Sequence, residues 1–248
     1  MSRAARAEER RQRPPIRWPT FDASQLSAPD RRSAEASGAL GKYTSGNPVK
    51  RLVSRRHVRV LLEYLIDLRL SDASVVDIGC GDSFVGSALL MNASSVGRFV
   101  GLDPSESALR IAEALYRQNS VRVPSLVRGS IHALPFGDDA FDVCLCSEVL
   151  EHVHNVETAL EELRRVTRGY ALLSVPNDFF FRLANLSRGA YVTRLGNTPG
   201  HVQHFSRRSF LRRIRPFFDV VSVSVPVGLW IVVLARPREP TRSQGSEG

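Results

Sequence analysis

Long apolar runs are missing from this chain. None of 18 or more residues occurs in its 248, which predicts no membrane-spanning helix. Cysteine is scarce as well. Cys80, Cys144 and Cys146 are the three present, all in apolar, strand-like surroundings and none at metal-ligand spacing from another. They read as reduced core residues of a cytoplasmic protein. Residues 1–15 have no apolar stretch of the kind a secretory signal needs, and Glu8 and Glu9 oppose a transit-peptide reading. What is present is 43% hydrophobic sequence, sufficient for one sizeable core.

Charge is distributed in blocks. Residues 1–59 hold 14 basic and 5 acidic residues, a net +9, and residues 60–181 hold 9 and 17, a net −8. Residues 182–215 hold 8 arginines and no acid, and the remainder is neutral. The first 40 residues are rich in Arg, Ala, Ser and Pro without apolar periodicity, which predicts a disordered basic arm. Such an arm is either a solvated tail or a contact for anionic surfaces. Removing it is expected to leave binding of the ligand at the core domain intact.

Periodicity begins at residue 43. Asn47 and Pro48 supply a cap and a first-position proline, followed by apolar residues at helical spacing through Leu68. Strands are predicted near 75–78, 98–102, 126–128, 141–146 and 170–175. Helices are predicted at 84–91, 104–117 and from an Asn155 cap onward. Strands alternating with helices predict a parallel α/β sheet covered on both faces. Residues 177–205 interrupt this order as an inserted cap segment. A helix from Ser206 to Ile214 and two strands, 217–225 and 229–235, follow. The short turn between those strands requires an antiparallel pair. The tail from 237 to 248 is expected to be disordered.

The informative turn is Val75-Val76-Asp77-Ile78-Gly79-Cys80-Gly81-Asp82-Ser83. A P-loop would need Gly-Lys-Ser/Thr, and no lysine lies near Gly81. A dinucleotide fingerprint would need a third glycine where Phe84 stands. Asp77 faces a pyrophosphate unfavourably but suits a cation. Asp103, 22 residues after Gly81 and ending the second strand, suits a ribose diol. The turn therefore fits a ligand with a ribose and a positive group.

With VGLDPSESAL, GSIHALPFGDDAFDVCLCSEVLEHV and the Tyr170–Val175 strand, this turn resembles the ordered motifs of class I S-adenosylmethionine-dependent methyltransferases. The nearest likeness is to the group containing ubiquinone and menaquinone methyltransferases (methyltransferase domain type 11). It spans about residues 43–236. It implies a Rossmann-like, seven-stranded, mostly parallel sheet with helices on both faces and an antiparallel last strand. The methyltransferase domain is thus bounded at 41–236. The resemblance places Asp77, Gly79 and Gly81 under the methionine part of the cofactor and Asp103 on both ribose hydroxyls. Pro104 packs on the adenine, Ser130 and Ile131 lie at its edge, and Ser147 lies near the methionine. Ser83 replaces a frequent third glycine, and Ser130 replaces a frequent aspartate.

On the acceptor side, Glu148, Glu151 and His152 fall at i, i+3 and i+4, one face of a helical turn. Two carboxylates and an imidazole there can hold Mg²⁺ or another divalent ion, with His204 as a further ligand; the alternative is that they orient the loop without a metal, as in metal-free members of the family resembled. Glu151 and His152 are the candidate catalytic pair, with His152 as general base. The arginines of 182–215 predict an anionic small-molecule acceptor, methylated on oxygen. RNA 2′-O-methylation through a Glu/Glu/His metal site is the alternative, but no RNA-binding module accompanies it. A non-catalytic cofactor-binding protein is the third reading. Acceptor identity and oligomeric state are not encoded in any motif.

Overall fold

The computed structural model describes residues 13–37, 39–93, 95–178 and 202–239. Three expectations fall partly or wholly outside these residues: the first twelve of the basic arm, the cap segment from Phe179 with its arginines and His201, and the tail from 240.

Seven strands form one sheet: β1 (Ala73–Ile78), β2 (Val96–Asp103), β3 (Ser125–Arg128), β4 (Phe141–Ser147), β5 (Thr167–Pro176), β6 (Phe218–Ser224) and β7 (Trp230–Pro237). Their order is β3-β2-β1-β4-β5-β7-β6. The first five pair in parallel. β7 inserts between β5 and β6 and is antiparallel to both, with Ser174 opposite Val232 and Ser224 opposite the same residue. The helices are α1 (Ala28–Ser37), α2 (Ala39–Thr44), α3 (Pro48–Asp67), α4 (Phe84–Asn92), α5 (Glu106–Gln118), α6 (Val156–Val166) and α7 (Arg207–Ile214).

Period-two alternation assigns each strand residue to one of two cores. Val76, Ile78, Cys144, Cys146 and Leu173 pack with Leu160 and Leu163 of α6 and Phe210 of α7. Val75, Val143, Leu145 and Leu172 pack with Leu61 of α3, Ala88 of α4 and Leu115 of α5. All three cysteines are free, and burial pushes the Cys144 thiol up to about 12. The caps form as expected. Asn47 Oδ1 accepts from the Val49 and Lys50 amides at 3.0 and 3.1 Å, and Asn155 caps α6. No helix among the described residues is long and apolar enough to cross a membrane.

The N-terminal segment overturns one expectation. Residues 13–40 are not a disordered arm: they carry α1 and the start of α2, and Ile16, Trp18 and Phe21 pack on the second core. Composition missed this because the anchoring comes from elsewhere in the chain. Asn92, Gln118 and Asn119, at the ends of α4 and α5, clamp the extended backbone of residues 17–22. Each amide side chain accepts from one main-chain N–H and donates to the carbonyl of the same residue, all at 2.8–3.0 Å. Three side chains thus do the work of a neighbouring strand. Asp30 adds an ion pair to Arg110 at 2.9 Å.

Phe84 opens α4 fully buried, stacked on Tyr43 with ring centres 4.3 Å apart and facing Trp18 at 6.5 Å. Phe84→Ala is expected to cost about 3–5 kcal/mol in denaturant unfolding. In a double-mutant cycle with Trp18→Ala, a coupling of about 0.5–1.5 kcal/mol is expected. Strict additivity would show that the N-terminal segment is not docked in solution.

Candidate functional site

The sheet brings the C-terminal ends of β1, β2, β3 and β4 together, and the turn after β1 lies among them. Gly79 and Gly81 take φ values of 72° and 53°, a region that favours glycine. A Cβ on Gly79 would sit 2.3 Å from Val149 Cγ2, whereas one on Gly81 would meet nothing within 4 Å. The first glycine therefore packs the turn against Val149 in the loop after β4, and the second borders open space. The amides of Gly79 and Cys80 donate to the Leu102 carbonyl at 2.7 and 3.0 Å. Asp103 then straps the turn to the end of β2. Its Oδ2 accepts from the Gly81 amide at 2.9 Å and its Oδ1 from the Ser105 amide at 2.8 Å. Ser83 is also left-handed, at φ 56°, which explains why glycine suits this position. Its hydroxyl is held by Tyr116 Oη at 2.7 Å.

Negative charge is concentrated here. Asp77, Asp82 and Asp103 are all buried. Burial first, then the charges of Asp103 and Asp82, push Asp77 up to about 7. Burial pushes Asp82 up to about 6 against the pull of Lys42 and of the Phe84 and Leu40 amides. Sequence reasoning named Asp77 and Asp103 but passed over Asp82, although it stands inside the same motif.

The remaining cofactor-side residues follow directly on the strand ends. Pro104 is exposed next to Asp103, and Ile131 is buried. Ser130 lies beside it, its hydroxyl accepting from the His132 amide at 3.2 Å. Ser147, half-buried, closes β4.

The acceptor side departs from the expected metal centre. Glu148 is left-handed at φ 57°, and residues Leu150–His152 form a 3-10 turn, so no α-helical face joins the three side chains. Glu148 is ion-paired with Lys42 and accepts from Trp230 Nε1 at 3.0 Å and from Tyr43 Oη at 3.5 Å. Burial alone would raise its pKa, but Lys42 and His57 hold it down at about 2. Glu151 is buried, with an Oε2 that lacks a partner, while His152 is exposed. Burial, then Glu148, raise Glu151 well above the usual carboxylate range. His204 lies instead against Asp178, 3.6 Å from Oδ2. Among the described residues no group of three or more His, Cys, Asp or Glu could hold a metal ion. Glu148, Glu151, His152 and His204 do not fit one.

What assembles in its place is a buried polar cluster at the ends of β4, β5 and β7. His57, fully buried on α3, stacks on Trp230 at 4.7 Å and shares a 2.8 Å hydrogen bond with Ser174. Burial pushes His57 down to about 4, so it is neutral. Sequence reasoning read His57 only as one position of an apolar helix face. Lys42 was also missed, although one of just two lysines in an arginine-rich chain was a usable signal.

Residues 76–174 match a family described as a methyltransferase domain. Over 103 residues the chain is 39% identical to an uncharacterized methyltransferase of Mycolicibacterium vanbaalenii, covering 41% of this chain and 38% of that protein. Over 110 residues it is 32% identical to the ubiquinone biosynthesis O-methyltransferase of Rickettsia bellii, covering 44% of each. The chain thus spans less than half the length of these curated relatives. Among solved structures, magnesium protoporphyrin IX methyltransferase of Synechocystis with bound S-adenosylhomocysteine superimposes with a TM-score of 0.63 at 18% identity, covering 83% of this chain and 95% of that one. That likeness is one of fold.

Asp77 and Asp82 have raised folded-state pKa values, so their favourable contribution is complete near pH 4 and is lost as pH rises through about 6 and 7. Asp77→Asn is therefore expected to raise the melting temperature of the ligand-free protein most at pH 8, by much less at pH 5, and hardly at all near pH 4. An equal shift at pH 8 and pH 4 in scanning fluorimetry would contradict the burial argument.

Proposed function

We propose that this chain, whose residues 76–174 match a methyltransferase-domain family, is an S-adenosylmethionine-dependent methyltransferase of class I that transfers a methyl group to an oxygen of a small anionic acceptor. One observation carries this reading. Three buried carboxylates surround a glycine turn that is open at Gly81, an environment complementary to a cationic ligand bearing a ribose. S-adenosylmethionine supplies an electrophilic methyl group when bound there.

The chain's own residues then divide the work. Asp103, already oriented by two backbone amides, has lone pairs left for a ribose diol. Asp77 and Asp82 face the ammonium end, with the Gly79–Gly81 backbone beneath it. Pro104, Ser130 and Ile131 border the adenine, and Ser147 the methionine. A serine at 130 offers a weaker acceptor than a carboxylate for the adenine amino group. Opposite them, Lys42 holds Glu148 ionised and supplies positive charge toward an anionic acceptor. Glu151, whose pKa burial and then Glu148 raise, borders the same buried cluster. His152, being exposed, reaches only an acceptor group that stays at the surface. Methyl transfer is an in-line displacement, so orientation and exclusion of water contribute much of the rate. No step requires a metal.

The likeness to the Rickettsia protein supports an oxygen acceptor. A domain bounded at 41–236 is retained as part of this proposal, now with residues 13–40 docked onto it.

A cationic ligand lowers the raised pKa values of Asp77 and Asp82, so binding should release protons between about pH 6 and 7. Calorimetry with S-adenosylhomocysteine in two buffers of different ionisation enthalpy reads this directly. Asp103→Ala and Asp77→Asn are each expected to weaken binding at least about tenfold, the scale of losing a charge-assisted contact. No heat with either S-adenosylmethionine or its product would sink the reading. Incubation with labelled cofactor and cell extract should then yield a product with an O-linked label, undiminished by a chelator. Cofactor binding without any labelled product would favour a non-catalytic binding protein. A labelled RNA 2′-hydroxyl would favour the alternative acceptor.

A further inference from the structure

A second site lies on the outer side of α3. Arg51, Arg55 and Arg59 recur at four-residue spacing and share a helix face with Leu52 and Arg56. Trp18, brought there by the docked N-terminal segment, forms the opposite wall. Together with Pro48 these residues line a cleft of about 540 Å³, a volume typical of small-ligand sites. Among the described residues, none of the four arginines lies within 4.0 Å of a carboxylate. Arg51 donates only to the Ser45 carbonyl, at 2.6 Å. Arg55 lies over the Trp18 ring at 5.1 Å, and its buried Nε has no acceptor. Burial and the charge of Arg51 both depress its pKa, the sign of repulsion left unbalanced.

The Arg55 guanidinium lies over the Trp18 ring in a cation–π contact, which holds it at the cleft. A guanidinium fork matches two oxygens of one phosphoryl group. Four cations in a single cleft exceed what one carboxylate balances and match the charge of a diphosphate. His57, on the opposite side of the same helix, packs on Ser174 and Trp230. The cleft is thus separated from that buried cluster by the body of α3.

We propose that the Trp18–Arg51–Arg55–Arg56–Arg59 cleft binds the phosphoryl groups of a small phosphorylated ligand, at a site distinct from the methyl-transfer pocket. The inference stands on the cleft alone and does not need the methyltransferase reading. The ligand's phosphoryl groups come from either a soluble metabolite or a lipid headgroup. A cleft closed by Trp18 is shaped for a compact ligand rather than an extended nucleic-acid backbone.

Inorganic pyrophosphate is the probe, titrated into the full chain by calorimetry with thermal unfolding in parallel. Binding that raises the melting temperature and weakens with added salt is expected. The double variant Arg55→Gln, Arg59→Gln should lose about tenfold or more in affinity. Arg59→Gln alone leaves the Trp18 stack in place and should lose less, which keeps the test valid if the double variant unfolds. Vesicles of phosphatidylglycerol in phosphatidylcholine separate the sources. Competition with pyrophosphate assigns a lipid headgroup, and its absence assigns a soluble phosphate. No pyrophosphate binding, binding unchanged in both variants, or tighter arginine-dependent binding of single-stranded RNA would each overturn the proposal.

Discussion

Asp77, Asp82 and Asp103 crowd their carboxylates into one buried turn, with a single lysine nearby. Such an arrangement is costly in the free protein, since ionised groups lose their water and repel one another. The fold tolerates it by distributing backbone donors. Asp103 takes two amides, and Asp82 lies at the start of α4. Asp77 is left with the largest burden and holds its proton up to about pH 7. Under the proposed function the cost is recovered when the cationic cofactor binds, and protonation of the site is then coupled to its occupancy.

Lys42 connects this turn to the buried cluster across the sheet. It reaches the site from α2, pairs with Glu148 and acts on Asp82. Its neighbour Tyr43 stacks on Phe84, the first residue after the turn. The N-terminal segment is therefore not an accessory to the α/β core. It supplies the one lysine near both halves of the site, and through Trp18 it also completes the arginine cleft on the outer face of α3. Docking that segment is the event on which both sites depend.

Much of the sheet was legible because its rules are local. Period-two apolar strands, helix caps at Asn47 and Asn155, and a short connection near Pro226 each constrain their own neighbourhood. The count of seven strands came from the resemblance of ordered motifs, which agreed with the short connection on an antiparallel last strand; the strand order is a finding of the structure. The acceptor side was not legible in the same way. A Glu-x-x-Glu-His spacing suggests one helical face, but Glu148 at positive φ and the 3-10 turn after it send Glu151 inward and His152 outward. Spacing predicts proximity only if the backbone between is regular. The disorder expected of residues 13–40 failed for a related reason. Composition counts the segment's own apolar residues and not the amides of Asn92, Gln118 and Asn119 that hold it.

By itself, then, the sequence determined the α/β class, the positions of most elements and the carboxylate-flanked glycine turn, because each rests on residues close together in the chain. Tertiary structure decided which side chains face one another across long separations: Lys42 with Glu148, His57 with Ser174, Trp18 with Arg55. Those pairings depend on how layers stack, and burial then sets which groups are charged. That is why the candidate metal ligands dispersed while an unanticipated buried polar cluster and an arginine cleft formed.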